Sequence, residues 1–277
     1  VKLYATLFDL LPVQLPQYFP PGASETFESW LNVITHFNGA FSISESTKRD
    51  FQNWLKVNHN LRSDFDINVL PMGVDEIKQK EVGAAIRPNF KTILEKPYFL
   101  MVGTIEPRKG HAQVIEAFEL LSHKDTFNLI VVGQEGWKGL PDSERRSLPA
   151  TVDKLHSHNK KKSNISWLND VNDQELAILY SNARALIAAS EGEGFGLPLI
   201  EAMRHGCPLI ARDIDVFREV SEGYADFFKN DLLPEILAEY LVNWTTPEVG
   251  NRRQPEIKSW KDTSNAILSV ITLDAEN

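Results

Sequence analysis

Positions 190 to 201 read Ser-Glu-Gly-Glu-Gly-Phe-Gly-Leu-Pro-Leu-Ile-Glu, which sets two carboxylates, Glu193 and Glu201, on either side of a glycine-rich turn. Gly192, Gly194 and Gly196 alternate there and permit close approach of backbone to a ligand. Pro198 suits the first position of a helix. The amides of Phe195, Gly196 and Leu197 would then stand unpaired at a helix N-terminus, which is an anion site. A phosphate above that end would have Glu193 on one side and Glu201, one turn inside the helix, on the other. Two adjacent cations, Arg108 and Lys109, stand in another glycine-containing loop and would give charge-assisted bonds to a diphosphate. A carboxylate accepts both hydroxyls of a ribose, and Glu201 is placed for that. Glu193 is placed for hydroxyls beyond the phosphates. Each residue has a plainer reading: Glu201 would complement the helix dipole, and the glycines would only turn the chain. The combination with Arg108 and Lys109 on one rim favours the ligand.

That rim requires an open parallel sheet, in which ligands bind beyond the carboxyl ends of the strands. The pattern supplies one. Strands are predicted over 98–103, 128–133, 164–168, 185–189 and 207–211, alternating with helices over 112–121, within 142–158, and over 173–183, 198–205, 216–222 and 232–244. Continuous apolar runs such as Leu129-Ile130-Val131-Val132 and Ala185-Leu186-Ile187-Ala188 suit strands covered on both faces. Upstream, strands are expected over 2–8 and 40–44 with a strand end at 67–71, and helices over 23–37, with Ser24 as N-cap, and over 45–56. A polar stretch at 75–95 reads as a connection. A spacer at 245–255 precedes a last helix over 257–271.

Composition narrows the partners. The net charge of −9 makes non-specific nucleic-acid binding a poor fit. No apolar run approaches the ~18 residues of a membrane span. Cys207 is the only cysteine, so no internal disulfide forms, and a reducing, cytoplasmic setting is expected. Cys207 itself reads as core rather than nucleophile. The first residue is Val1, which suggests a processed start or a piece of something longer. Two Asp-x-Asp pairs, Asp64/Asp66 and Asp213/Asp215, are weak evidence for a metal, and the seven histidines show no ligand spacing. No metal and no cofactor are therefore expected. His156, His158 and Lys160 to Lys162 read first as a solvated helix end, with peripheral membrane association as the alternative.

The run Glu193-Gly-Phe-Gly-Leu-Pro-Leu-Ile-Glu201 resembles the signature of retaining glycosyltransferase family 4, whose members have the two-domain GT-B fold. Val102-Gly-Thr-Ile-Glu-Pro-Arg-Lys109 resembles the family's diphosphate loop. Three further stretches, 67–75, 131–137 and 211–220, resemble the segment leaving the N-terminal domain and two runs of its mannosyltransferase-like branch. The resemblance implies an α/β fold with a complete C-terminal Rossmann-like domain over 96–250, part of an N-terminal acceptor-side domain over 1–75, a connection over 76–95 and a crossover helix within 251–277. It implies a nucleotide-sugar donor, with GDP-mannose favoured over UDP-sugars, and a glycan or lipid-linked acceptor. Thr104, Arg108, Lys109 and the amides of Phe195, Gly196 and Leu197 would bind the diphosphate. Glu201 would bind the ribose, and Glu193 would contact the donor sugar as the catalytic-site carboxylate. Trp167, Leu168 and Val171 would lie near the base.

Three departures accompany the resemblance. Thr104 stands where many relatives carry Arg, as is usual in the mannosyltransferase-like branch. Phe8-Asp9-Leu10 stands where relatives read His-Asp-Leu, which bears on acceptor handling. The chain is also short for two full Rossmann-like domains, so a second chain or an absent segment is the expected cover for the N-terminal sheet. The rival reading is a donor-binding fragment without turnover. A nucleotide-sugar epimerase of the same fold is opposed by the full two-glutamate signature.

Overall fold

The computed structural model describes residues 2–58, 65–74, 90, 93–121, 127–246 and 255–273. Short apolar runs followed by amphipathic helices build two parallel sheets. The first contains β1 (Tyr4–Leu7), β2 (Gly39–Ser42) and β3 (Asp66–Val69) in that order. Helices α1 (Leu11–Gln14) and α2 (Ala23–Ile34) connect β1 to β2, and α3 (Glu45–Asn58) follows β2. Its core joins Leu7, Ala40 and Ile67 of the strands to Leu31 and Ile34 of α2 and to Phe51 and Leu55 of α3. Ser24 does not cap α2. Gly22, in the left-handed conformation, holds the cap position and Ser24 lies inside the first turn.

The second sheet follows the alternation read from sequence. Its elements are β4 (Tyr98–Val102), α4 (His111–Glu119), β5 (Asn128–Val132), α5 (Leu148–Lys161), β6 (Ile165–Leu168), α6 (Asp173–Asn182), β7 (Ala185–Ala188), α7 (Leu197–Arg204), β8 (Leu209–Arg212), α8 (Asp215–Ser221), β9 (Ala225–Phe228) and α9 (Pro234–Asn243). The order is β6-β5-β4-β7-β8-β9, all parallel. The chain fills the sheet outward from β4 in one direction, then from β7 in the other. The switch point therefore lies between β4 and β7, and the loops after these two strands share one crevice. Alternate residues of β4 face opposite cores: Phe99 and Met101 join Phe118 and Leu129, while Tyr98 and Leu100 join Tyr180 and Leu199.

Several boundaries differ from the sequence reading. Strand β9 was not predicted; in its four residues, Ala-Asp-Phe-Phe, Asp226 interrupts the continuous apolar run that marks strands such as β5 and β7. β8 starts at Leu209, after Cys207 and Pro208, because proline cannot donate to a ladder. Helix α7 starts at Leu197, which puts Pro198 second rather than first. Cys207 is buried, and burial pushes its thiol pKa up to about 12, in keeping with a core role. The stretch at 75–95 lies outside the described residues except for 90 and 93–95, and the spacer at 245–255 except for 245, 246 and 255.

The last helix, α10 (Trp260–Leu273), runs beside the end of the three-stranded sheet. Thr263 Oγ1 donates to the Pro71 carbonyl at 2.5 Å and accepts from the Gly73 amide at 3.1 Å. On the far side of the molecule the edge of β6 is occupied by a side chain: Asn159 bonds both the amide and the carbonyl of Trp167, at 2.8 and 2.9 Å. A strand edge filled in this way is closed to pairing at that residue.

Candidate functional site

Glu193 is the centre of a charged cluster at the switch point. The cations reach it from the loop after β4, where Pro107–Lys109 make a single 3-10 turn. Arg108 Nη1 lies 3.0 Å from Glu193 Oε2 and donates to the Gly192 carbonyl at 3.0 Å, while Nη2 lies 3.2 Å from Glu106. Lys109 Nζ donates to Glu193 Oε1, which also accepts from Ser190 Oγ at 2.7 Å. The two loops are tied at the backbone as well, by the Glu191 amide on the Arg108 carbonyl at 2.8 Å. Arg108, Lys109 and Glu193 are only 15%, 16% and 11% exposed. Burial alone would raise the Glu193 carboxyl; Lys109 and Arg108 outweigh it and hold the pKa below the ordinary value. Glu193 is thus an ionised carboxylate at neutral pH.

The glycines around it do separate work. Gly194 allows close approach: a Cβ there would stand 1.9 Å from the Phe8 carbonyl oxygen, so no larger residue fits. Gly196 caps α7 with φ of 99°, in the region that favours glycine. Among the described residues no backbone carbonyl accepts from the amides of Phe195, Gly196 or Leu197. These groups remain available at the positive end of α7.

Glu201 lies further along α7. Its Oε2 accepts from the Tyr180 hydroxyl at 2.8 Å. Burial, then the charge of Glu201, raises the Tyr180 pKa well above its usual value, so the phenol stays protonated and donates. One carboxylate oxygen of Glu201 is thereby oriented. Thr104 is exposed at the end of β4. Trp167 is buried, and its indole N–H donates to the Gly133 carbonyl at 2.9 Å. Its side chain is committed to packing, whereas Leu168 and Val171, at the strand end, are half-buried.

Three contributors escaped the sequence reading. His111 is the first residue of α4 and is fully buried; burial, then the Lys109 charge, lowers its pKa to about 3. Its neutral ring lines a small cavity of about 20 Å³ with Lys109, Ser190, Glu193 and Phe217, and its Nδ1 has no hydrogen-bond partner among the described residues. Asp9, just after β1, feels Arg108, Lys109 and Glu193, yet burial raises its pKa. Tyr180 orients Glu201. His111 follows Lys109-Gly110 and Asp9 lies in the Phe8-Asp9-Leu10 run, so these two carried some signal, whereas Tyr180 sits on a segment with an ordinary local pattern.

The three-stranded sheet docks on this crevice. The Gly194 carbonyl accepts from Ser44 Oγ at 2.7 Å and from Thr47 Oγ1 at 3.3 Å. The Glu219 carboxylate, on α8, accepts from the amides of Glu45 and Ser46 at 2.7 and 2.8 Å and so caps the start of α3. Tyr18 donates to Glu191, and Arg146 Nε donates to the Phe19 carbonyl at 2.6 Å. Trp137 lies against Phe19 with ring centroids 6.4 Å apart. Asp213 is engaged by Arg218 at 2.5 Å, and Asp215 lies 3.5 Å from Arg49. Asp64 lies outside the described residues. Among the described residues no group of three or more His, Cys, Asp or Glu side chains is arranged to hold a metal ion, and no helix is long and apolar enough to cross a membrane.

Comparison with known proteins places this geometry. The profile of the family described as "Glycosyl transferases group 1" matches residues 84–244. The serotype-specific mannosyltransferase WbdA of Escherichia coli is 32% identical over 288 residues, covering 96% of this chain and 33% of that protein. The O-antigen chain mannosyltransferase RfbU of Salmonella typhimurium is 37% identical over 134 residues, covering 48% of this chain and 35% of that protein. The chain spans about a third of the length of WbdA, and the region matched to RfbU spans about a third of that protein. A sucrose-phosphate synthase from Thermosynechococcus elongatus superposes with a TM-score of 0.71 at 21% identity, over 99% of this chain and 68% of that one. The two-sheet arrangement is thus that of the GT-B glycosyltransferases.

Proposed function

Because the chain belongs to the glycosyl transferases group 1 family, we propose that it binds a nucleotide-diphosphate sugar in the crevice between β4 and β7 and transfers the sugar with retention of configuration. The observation that carries this reading is the convergence of Arg108 and Lys109 on Glu193 beside the free amides that open α7. As the glycosidic bond to the diphosphate breaks, negative charge grows on the leaving phosphate. Arg108, Lys109 and the amides of Phe195, Gly196 and Leu197 are fixed in advance to meet that charge. With those donors the leaving group requires no metal ion. Glu193 is held ionised, so it accepts hydrogen bonds from sugar hydroxyls rather than giving up a proton. The acceptor hydroxyl attacks from the side the diphosphate leaves, and the leaving phosphate oxygen takes its proton. Glu201, oriented by Tyr180, receives the ribose hydroxyls.

The named mannosyltransferase relatives favour GDP-mannose as donor and a growing glycan as acceptor. A second reading, donor binding without turnover, has its own support. Among the described residues the cations paired with Glu193 come from the six-stranded sheet, while the strand end facing it from the other sheet offers Phe8 and Asp9. Calorimetric titration with GDP, UDP, GDP-mannose and UDP-glucose, with Glu201→Ala alongside, tests both. Saturable binding of GDP and GDP-mannose, weakened about tenfold by the substitution, is expected for one or two lost charged hydrogen bonds. Release of GDP from GDP-mannose in the presence of a mannoside acceptor separates transfer from binding alone. No binding of any nucleotide by the folded chain contradicts the proposal.

A further inference from the structure

Glu191 stands two residues before Glu193, and its carboxylate answers to both sheets. From the smaller sheet the Tyr18 hydroxyl donates to Glu191 Oε2. Within the larger sheet Glu191 acts on the charge of Arg212, the last residue of β8, which is only 2% exposed. The Arg212 guanidinium donates to neutral acceptors: the Ala189 carbonyl at 2.9 Å, Gln113 Oε1 at 2.5 Å and the Asn230 carbonyl at 2.5 Å. Burial lowers the Arg212 pKa, and the Glu191 carboxylate is the leading charge that opposes it. Burial, then the bond to Glu191, pushes the Tyr18 phenol up to about 12, so it stays protonated and donates.

Tyr18 is itself fixed. It ends the 3-10 turn Pro16–Tyr18, and Phe19 after it is held through its carbonyl by Arg146 and through its ring by Trp137. Residues 190–196 lie in neither helix nor strand, so the place of Glu193 depends on what holds its neighbours. Gly192 is set by apolar contact: a Cβ there would stand 2.6 Å from the side chains of Leu11 and Leu15. Apolar surfaces slide, whereas a charge-assisted hydrogen bond fixes both distance and direction. Leu11, Leu15, Ser44 and Thr47 already dock the two sheets, and a half-buried carboxylate is a costly addition for docking alone. We propose that Glu191 is a positioning residue, a strut held by Tyr18 and Arg212 that sets Glu193 where the donor's sugar hydroxyls require it. This inference rests on the nucleotide-sugar reading above. The Glu191 amide, which bonds the Arg108 carbonyl at 2.8 Å, survives substitution of the side chain. Loss of the strut is therefore felt at the sugar and not at the diphosphate.

The test is calorimetry with GDP and with GDP-mannose on the wild type, Tyr18→Phe, Glu191→Ala and the double variant, with a thermal melt of each. The expected result is GDP-mannose affinity about three- to tenfold weaker in Tyr18→Phe, the size of one lost hydrogen bond to a charged group, and at least as weak in Glu191→Ala. GDP affinity stays within twofold throughout. The double variant should bind GDP-mannose no more weakly than Glu191→Ala, because both substitutions break the same bond. A role in docking alone lowers the melting temperature and leaves the ratio of the two affinities unchanged. That result overturns the strut and leaves the donor site standing, as do additive losses in the double variant or a wild type that binds GDP but not GDP-mannose. Absence of GDP binding removes the underlying reading, and the strut with it.

Discussion

The six-stranded sheet buries apolar side chains against both of its faces, in two clusters that share β4, β5 and β7. Among the described residues the three-stranded sheet has one smaller cluster, built from β1, β2, β3, α2 and α3. The charged groups follow the same division. Arg108, Lys109, Glu193 and Glu201 all rise from loops or helices of the larger sheet, and the ion pairs and hydrogen bonds described for their side chains are made within it, with the Asp9 carboxyl of the smaller sheet near enough to feel the charged three. The smaller sheet reaches the site through hydroxyls and a carbonyl: Ser44 and Thr47 on Gly194, and the Phe8 carbonyl against the same glycine. One sheet carries its own binding machinery, whereas the other is set in place by docking on that machinery's loop. An anion site with preset donors belongs on the better buried scaffold, because its geometry is then fixed before the ligand arrives.

The largest expected effect strikes the machinery itself. Glu193→Gln leaves Lys109 without the carboxylate it pairs with and Arg108 with Glu106 alone, and breaking such a buried pair typically costs about 3 kcal/mol. Thermal melts should show that loss, and GDP should raise the melting temperature of the variant more than that of wild type, because its phosphates restore the missing negative charge. The docking contact comes next. Gly194→Ala forces the Phe8 carbonyl away, with an expected loss of about 2 kcal/mol in urea unfolding. If the two sheets unfold separately in that variant but together in wild type, the division is sharper than drawn here.

Glu219→Ala removes the cap that α8 supplies to α3 across the two sheets, with an expected loss of about 1 kcal/mol on thermal unfolding. The smallest effect concerns Asp9, whose pKa is raised by burial. For such a carboxyl, stability is full below the unfolded value and falls as pH rises through the raised folded value. Asp9→Asn should therefore melt higher than wild type at pH 7, and the gain should vanish on acidification to the ordinary carboxylate range. Glu193 has the opposite sign: its lowered pKa makes its contribution present at neutral pH and lost only as pH falls through that lowered value.

What the sequence disclosed follows the same physical line. The parallel alternation and the crevice were legible because each strand is a short apolar run and each following loop is marked by glycine or charge. Arg108, Lys109, Glu193 and Glu201 were legible as a group because strand order places their loops on one rim. Glu219 was not, since its partners lie about 170 residues away and nothing local marks a carboxylate that caps another segment's helix. The same holds for Tyr180, which looks like any buried helix residue until its hydroxyl meets Glu201. Asp9 entered only as part of the Phe8-Asp9-Leu10 run, and its burial beside the cations is a product of docking. Ser24 had the right side chain for a cap and lost the position to Gly22, whose backbone reaches the left-handed region at little cost.

The account's central claim is that the larger sheet alone supplies the nucleotide-diphosphate site. Amide hydrogen exchange with and without GDP tests it most directly. The account predicts that GDP slows exchange at Phe195, Gly196 and Leu197 and in the loop of Arg108 and Lys109, and that Arg108→Ala combined with Lys109→Ala abolishes the effect. Slowing confined to β1–β3 and their loops, or none at GDP concentrations that saturate related enzymes, would contradict it.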